Sequence, residues 1–126
     1  DLDGAVKTIE AAEIVGIKRF IMISAIQAHR RENWHEKMLP YYAAKYYADK
    51  MLEQSELTYT IIRPGGLVSE PGTGLVSAAV DIPSGKIPRE DVARTIIQSL
   101  TEENTYYQSF DLVSGEVPIT KALKIL

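Results

Sequence analysis

The order of patterns along these 126 residues predicts an α/β layered fold built on a parallel sheet. Two observations carry that prediction. Segments of helical periodicity alternate with short β-branched or aromatic runs. One run, Phe20-Ile21-Met22-Ile23, is apolar at four consecutive positions, the mark of a strand covered on both faces as parallel strands are.

Each element follows in order. Leu2, Ala5, Ile9 and Ala12 recur at helical spacing, with Lys7, Glu10 and Glu13 mostly off that stripe. This predicts a helix over 3–15, stopped by Gly16. KRFIMISA then reads as the buried strand. Residues 26–39, IQAHRRENWHEKML, are polar and mixed and read as a long loop with a helical turn. Pro40 suits the first turn of a helix. From Tyr41 to about Ser55 there is no Gly or further Pro, and good helix formers are frequent. TYTIIR at 58–63 is the next strand, ended by Pro64-Gly65-Gly66. SEPGTG at 69–74 is loop, and LVSAAVDI and KIP are short strands around Pro83-Ser84-Gly85. They form a small excursion over 68–88. EDVARTIIQSL is a helix with Glu90 and Asp91 in its first turn, where the dipole favours them. Ala93, Ile96 and Leu100 are its expected buried stripe. SFDLV at 109–113 is a strand, Gly115 turns the chain, and ITKALKIL closes it as a short helix. Right-handed crossovers follow from the alternation.

Three such strands are few, and KRFIMISA would form a long apolar sheet edge, which invites pairing. The chain also opens on DLDGAVKTIEAAE, without Met and directly in a helical pattern. Both observations lead to the expectation of further strands before residue 1, with residues 1–126 as the carboxyl-terminal part of one domain.

Composition excludes several functions. A net charge of −3 leaves no basic surplus for a phosphate backbone, so no nucleic-acid partner is expected. Without cysteine there are no disulfides, thiolate metal sites or thiol catalysis, which fits a cytoplasmic location. No apolar run approaches a membrane span. His29 and His35, six residues apart in a polar loop, lack standard metal-ligand spacing, so no metal is expected. Arg30 and Arg31 in that loop could hold an anionic substrate or stand in solvent. Arg63, at a strand end, reads as a partner for a carboxylate. Tyr106 and Tyr107 read as cover for apolar surface.

The stretch PYYAAKYYADK at 40–50 carries the chemistry. Tyr41 and Lys45 are four apart and share a helix face, continued by Ala48 and Leu52. An ammonium beside a phenol favours the phenolate and lowers its pKa. Such a pair can pass a proton to or from a carbonyl oxygen as hydride moves. A Tyr-x-x-x-Lys pair also arises by chance in any tyrosine-rich helix. Here the helix lies between a strand ending in Ser24 and one ending in Pro64, and ligands bind outside the carboxyl ends of parallel strands.

With these flanks, the chain resembles the carboxyl-terminal part of an atypical short-chain dehydrogenase/reductase. The likeness is to the NmrA-like branch, also described as NAD-dependent epimerase/dehydratase-like. The matching stretches are DLDGAVKTIEAAEIVGIKRFIMISA, PYYAAKYYADKMLEQSELTYTIIRPGGL, IPREDVARTII and FDLVSG. The resemblance implies a Rossmann-like doubly wound parallel sheet whose amino-terminal strands are missing here. It implies Tyr41 and Lys45 as the catalytic pair, with both beside the nicotinamide and Lys45 on its ribose. Pro64, Gly65, Gly66 and Leu67 match the loop beside the nicotinamide, and Ser24 matches the active-site serine. Extended members carry that hydroxyl one position later, where this chain has Ala25. The loop holding Trp34 and His35 would border the substrate pocket. The family's G-x-x-G-x-x-G turn does not occur: PGGLVSEPGTG follows a strand but opens no helix. NAD or NADP is therefore the implied cofactor of the full-length protein, its adenosine and pyrophosphate held by residues outside this chain. The implied activity is that of an oxidoreductase or epimerase/dehydratase-like enzyme on a small carbonyl or hydroxyl substrate. The alternative is a non-catalytic NAD(P)-binding redox-sensing regulator.

Overall fold

The computed structural model describes residues 2–126; Asp1, where the expected domain begins, lies outside the described residues. Helix α1 spans Leu2–Ile14 and is followed by Gly16 at φ +80°, a conformation that favours glycine. Strand β1 is Arg19–Ile23, and α2 is Leu39–Glu53 with Pro40 in its first turn. Strands β2 (Thr58–Pro64), β3 (Gly66–Val68), β4 (Leu75–Ala79) and β5 (Lys86–Pro88) follow. Helix α3 is Arg89–Ser99, β6 is Gln108–Ser114, β7 is Val117–Pro118 and α4 is Ile119–Lys124. The loop after β1 holds two single 3-10 turns, Arg31–Asn33 and Glu36–Met38.

Five strands form one sheet in the order β1-β2-β6-β4-β7. β1, β2 and β6 are parallel, with Ile21 opposite Thr60 and Ile62 opposite Phe110. Parallel neighbours need long crossovers. Helix α2 supplies one, and α3 lies in the other. The 68–88 excursion divides: β4 returns to the sheet antiparallel to β6, while β5 pairs with β3 in a separate parallel ribbon.

Helices cover both sheet faces. On one, Ile9 and Ala12 of α1 and Leu52 of α2 pack with Leu57 and Ile61. On the other, Val92 of α3 and Ile119, Ala122 and Leu123 of α4 pack with Ile62, Phe110 and Leu112. Each fully buried Leu, Ile or Phe here contributes about 1.5–3 kcal/mol. β1 is half-buried along its length, and its outer edge pairs with no strand among the described residues. No helix among the described residues is long and apolar enough to cross a membrane.

One expectation is corrected. The buried stripe of α3 is Asp91, Val92, Thr95 and Ser99, while Ala93 and Leu100 are exposed and Ile96 only half-buried. Hydrogen bonds make Asp91 and Thr95 tolerable there. Thr95 Oγ1 donates to the Asp91 carbonyl at 2.7 Å, and the Asp91 carboxylate accepts from the amides of Thr73 and Gly74 at 3.0 and 2.9 Å.

Candidate active site

The carboxyl ends of β1 and β2 and the first turns of α2 meet at one edge of the sheet. The segment after β1 is laid along β2 by two backbone bonds, Ser24 N to Ile62 O at 2.7 Å and Ile26 N to Pro64 O at 3.0 Å. From α2, Lys45 Nζ donates to the Ile23 carbonyl at 3.4 Å. That length is at the outer limit of a hydrogen bond, so the half-buried ammonium keeps donors to spare. Tyr41 is 45% exposed at the start of the same helix face. Lys45 Nζ lies 5.6 Å from the centroid of the Tyr41 ring.

This geometry reverses one expectation. Burial, with the neighbouring Tyr42 second, pushes the Tyr41 phenol above its ordinary value. The sequence argument predicts a lowered value. Partial desolvation disfavours the phenolate, and this outweighs the benefit of the ammonium.

Pro64 ends β2, and Gly65 turns across β6, its amide donating to the Leu112 carbonyl at 2.9 Å. A Cβ on Gly65 would overlap the Gly85 carbonyl, so the β3–β5 ribbon can approach only a glycine there. Gly66 is exposed and a Cβ there would meet only ordinary contacts, while its amide is committed to the Gly85 carbonyl at 2.9 Å; Leu67 is 45% exposed.

Ser24 is only 4% exposed, and its Oγ donates to Asp49 Oδ2 at 2.6 Å. Asp49 is a residue the sequence reading omits. It stands one turn past Lys45 and is 6% exposed, and its Oδ1 is buried without a hydrogen-bond partner among the described residues. Burial pushes its carboxyl up to about 6, opposed by the Ser24 hydrogen bond and the charges of Arg63 and Lys45. The available signal was the spacing: 41, 45 and 49 form one stripe at intervals of four.

The neighbouring loops are held by charge. Arg63 meets a carboxylate, as its position suggests: Nε donates to Asp111 Oδ1 at 2.7 Å, and both residues are buried. Asp111 Oδ2 accepts from the Ile82 amide at 2.8 Å and Gln27 Nε2 at 3.3 Å. Asp81 Oδ1 lies within 3.1 Å of donors on Gln27, His29 and Arg30. Ligand atoms of His29, Asp81 and Asp111 lie within 4.8 Å of one another. The donors already on these carboxylates, two of them guanidinium, make the cluster a clasp between loops. Trp34 stacks on Tyr42 at 6.0 Å, and Arg31 lies over Tyr46 and donates to Tyr47 Oη at 2.8 Å. Tyr42, Tyr46 and Tyr47 thus hold the loop to α2. His35 Nδ1 accepts from the Lys37 amide and caps the second 3-10 turn.

A largely parallel sheet with helices on both faces is the arrangement of Rossmann-like dinucleotide-binding proteins, among them the short-chain dehydrogenases/reductases. The chain belongs to the NAD(P)H-binding family, whose model matches residues 1–103. It is 67% identical over 126 residues to a Bacillus subtilis protein described as an uncharacterized sugar epimerase, YhfK, matching all of this chain and 59% of that protein. Among solved structures, it is similar to a Bacillus halodurans protein provisionally described as an NAD-dependent epimerase/dehydratase. There the TM-score is 0.93 at 38% identity, over 98% of this chain and 58% of that one. It is also similar to the oxidoreductase ylbE from Lactococcus lactis, with a TM-score of 0.91 at 34% identity over the same shares. The chain thus spans about three-fifths of the length of these relatives. NAD or NADP is the cofactor class of the family. The residues present suit its nicotinamide side: an ammonium with donors to spare for ribose hydroxyls, and an exposed Gly66-Leu67 segment.

Proposed function

We propose that the whole protein is an NAD(P)-dependent oxidoreductase or epimerase/dehydratase-like enzyme acting on a small carbonyl or hydroxyl substrate. In this reading residues 1–126 are the carboxyl-terminal part of its single Rossmann domain. The observation that carries it is the placement of Tyr41 and Lys45 on one helix face at the carboxyl edge of the sheet, with Lys45 keeping donors beyond its long bond to Ile23. The names of the relatives, an epimerase and an oxidoreductase, agree with it.

The bound nicotinamide supplies or accepts hydride. Tyr41 Oη gives a proton to the substrate oxygen as a carbonyl is reduced, and takes it back in the oxidative direction. A phenol is protonated at neutral pH, the form a proton donor needs, and burial moves this one further in that direction. Lys45 holds the ribose hydroxyls and stabilises the phenolate left after transfer. Pro64, Gly65, Gly66 and Leu67 form the wall beside the nicotinamide. Ser24 orients the substrate side of the edge through its bond to Asp49.

The test is oxidation of NADH and NADPH by the full-length protein across a panel of carbonyl compounds. Tyr41→Phe is expected to lose about 10²–10⁴-fold in kcat while retaining cofactor affinity. Equal turnover by variant and parent would remove Tyr41 from the role. A second reading, the non-catalytic redox-sensing regulator, is favoured by one feature: Ala25 offers no hydroxyl, and that of Ser24 is taken by Asp49. Dinucleotide binding by calorimetry, with no turnover of any carbonyl, would select it.

A further inference from the structure

We infer that Asp49 is a positioning residue for Lys45: its carboxylate draws the ammonium inward, and its neutral acid leaves the ammonium at the carboxyl edge of the sheet. The inference builds on the proposed role of Lys45 toward the ribose.

The starting point is the unpartnered oxygen. Asp49 Oδ2 is committed to Ser24, but Oδ1 is buried with no donor. A buried carboxylate oxygen in that state is costly, and two arrangements relieve it: the group keeps its proton, or a cation comes to it. Among the described residues, the charged groups acting on Asp49 are Lys45 and Glu53 on α2 and Arg63 on β2, with the Ser24 hydroxyl beyond β1. Glu53 repels the carboxylate. Arg63 is engaged elsewhere, through Nε to Asp111 and Nη2 to the Val80 carbonyl at 2.8 Å. Lys45 remains. It lies one helical turn away on the same face, and its bond to Ile23 is long.

Two resting places follow for one ammonium. With Asp49 neutral, Lys45 stands as observed, between the Ile23 carbonyl and the Tyr41 ring, where it can reach a ribose. With Asp49 ionised, Lys45 is drawn one turn onward along α2 toward Oδ1. Dinucleotide binding and the Asp49 carboxylate then compete for one cation. By linkage, binding raises the Asp49 midpoint, and ionisation weakens binding.

The first experiment needs no cofactor. Infrared difference spectra of the full-length protein against Asp49→Asn isolate the Asp49 carboxyl, followed from pH 4.5 to 8. In Lys45→Met, and in Lys45→Gln as a second variant, the midpoint rises by at least about half a pH unit, because one of the two cations favouring the carboxylate is gone while Arg63 stays. An unchanged or lowered midpoint in both overturns the inference. The second experiment measures the dissociation constant of NADH, which lacks the 2′-phosphate that titrates in this range. The parent binds several-fold more weakly at pH 7.5 than at pH 5, and Asp49→Asn is flat across the range. The same pH dependence in both proteins overturns the inference. An infrared shift with no binding of NADH or NADPH at any pH supports the coupling and overturns the proposed function instead.

Discussion

Removing the Asp111 carboxylate should be among the more damaging single changes on the α2 side of the sheet. Asp111 is fully buried and Arg63 is 3% exposed. In Asp111→Ala the guanidinium keeps the Val80 carbonyl but loses its carboxylate partner, and the Ile82 amide loses its acceptor. Breaking a buried pair from one side costs about 3–5 kcal/mol. The orphaned amide raises this by about 1–3 kcal/mol if no water reaches it. With a urea m-value of about 2 kcal/mol/M, a loss of 3–5 kcal/mol lowers the unfolding midpoint by roughly 1.5–2.5 M. The double variant Arg63→Met/Asp111→Leu removes charge on both sides and should regain most of the loss, because an apolar pair of similar volume replaces a desolvated ion pair. The assay is urea unfolding followed by circular dichroism on all three proteins. A shift below about 0.5 M for Asp111→Ala, or a double variant as weak as the single, would refute the claim that an unpaired buried guanidinium is the cause.

Three further outcomes are expected. Arg19 donates to the Ser99 and Leu100 carbonyls at the end of α3, to the Thr58 carbonyl and to Thr60 and Thr105; Arg19→Ala should lower stability by about 2–3 kcal/mol, and Arg19→Lys should recover little, since one ammonium cannot span that fork. Asp49 binds its proton up to about pH 6 when folded, but only to about pH 4 when unfolded. Its contribution to stability is therefore full below about pH 4 and lost as pH rises to 6, and denaturant midpoints at pH 4.5 and 7.5 should show Asp49→Asn without that slope. Gly65→Ala forces a methyl group into the Gly85 carbonyl, and should lower the thermal midpoint and separate β3 from β5, read as faster amide exchange at Gly66, which bonds Gly85.

What was legible follows from how local each signal is. Strand β1 announces itself by four consecutive apolar residues, β2 by β-branched and aromatic ones, and α2 by Pro40 and the absence of breakers. The Tyr41–Lys45 spacing is likewise local, and so is the prospect of a carboxylate for Arg63. The return of β4 to the sheet is not local: its place depends on register with β6, Val76 opposite Ser114. The polar stripe of α3 was hidden because Asp91 is satisfied by amides 17 and 18 residues earlier. Asp49 was missed for the same reason, since its burial depends on Ser24, 25 residues before it in the chain. The pKa direction of Tyr41 was misjudged because spacing reveals a neighbouring charge but not the degree of desolvation.

The α1–α2 side of the sheet changes character along the strands. Side chains alternate, so Tyr59, Ile61 and Arg63 share a face of β2, as Phe20 and Met22 do on β1 with Ser24 beyond them. The first part of each row packs against Ile9, Ala12 and Leu52. The last residue of each row is polar and buried: Ser24 bonds Asp49, and Arg63 bonds Asp111. Hydrophobic residues at these places would hold the helices at least as well, because a buried ion pair is weak support for stability. What the polar groups add is direction. Asp111 fixes the Ile82 amide and Gln27, Gln27 and Asp81 fix one another, and Ser24 fixes the carboxyl of the helix that carries Tyr41 and Lys45. The loops bordering the carboxyl edge are thus pinned by hydrogen bonds of defined geometry, as expected of an edge that must hold a cofactor and a substrate in register.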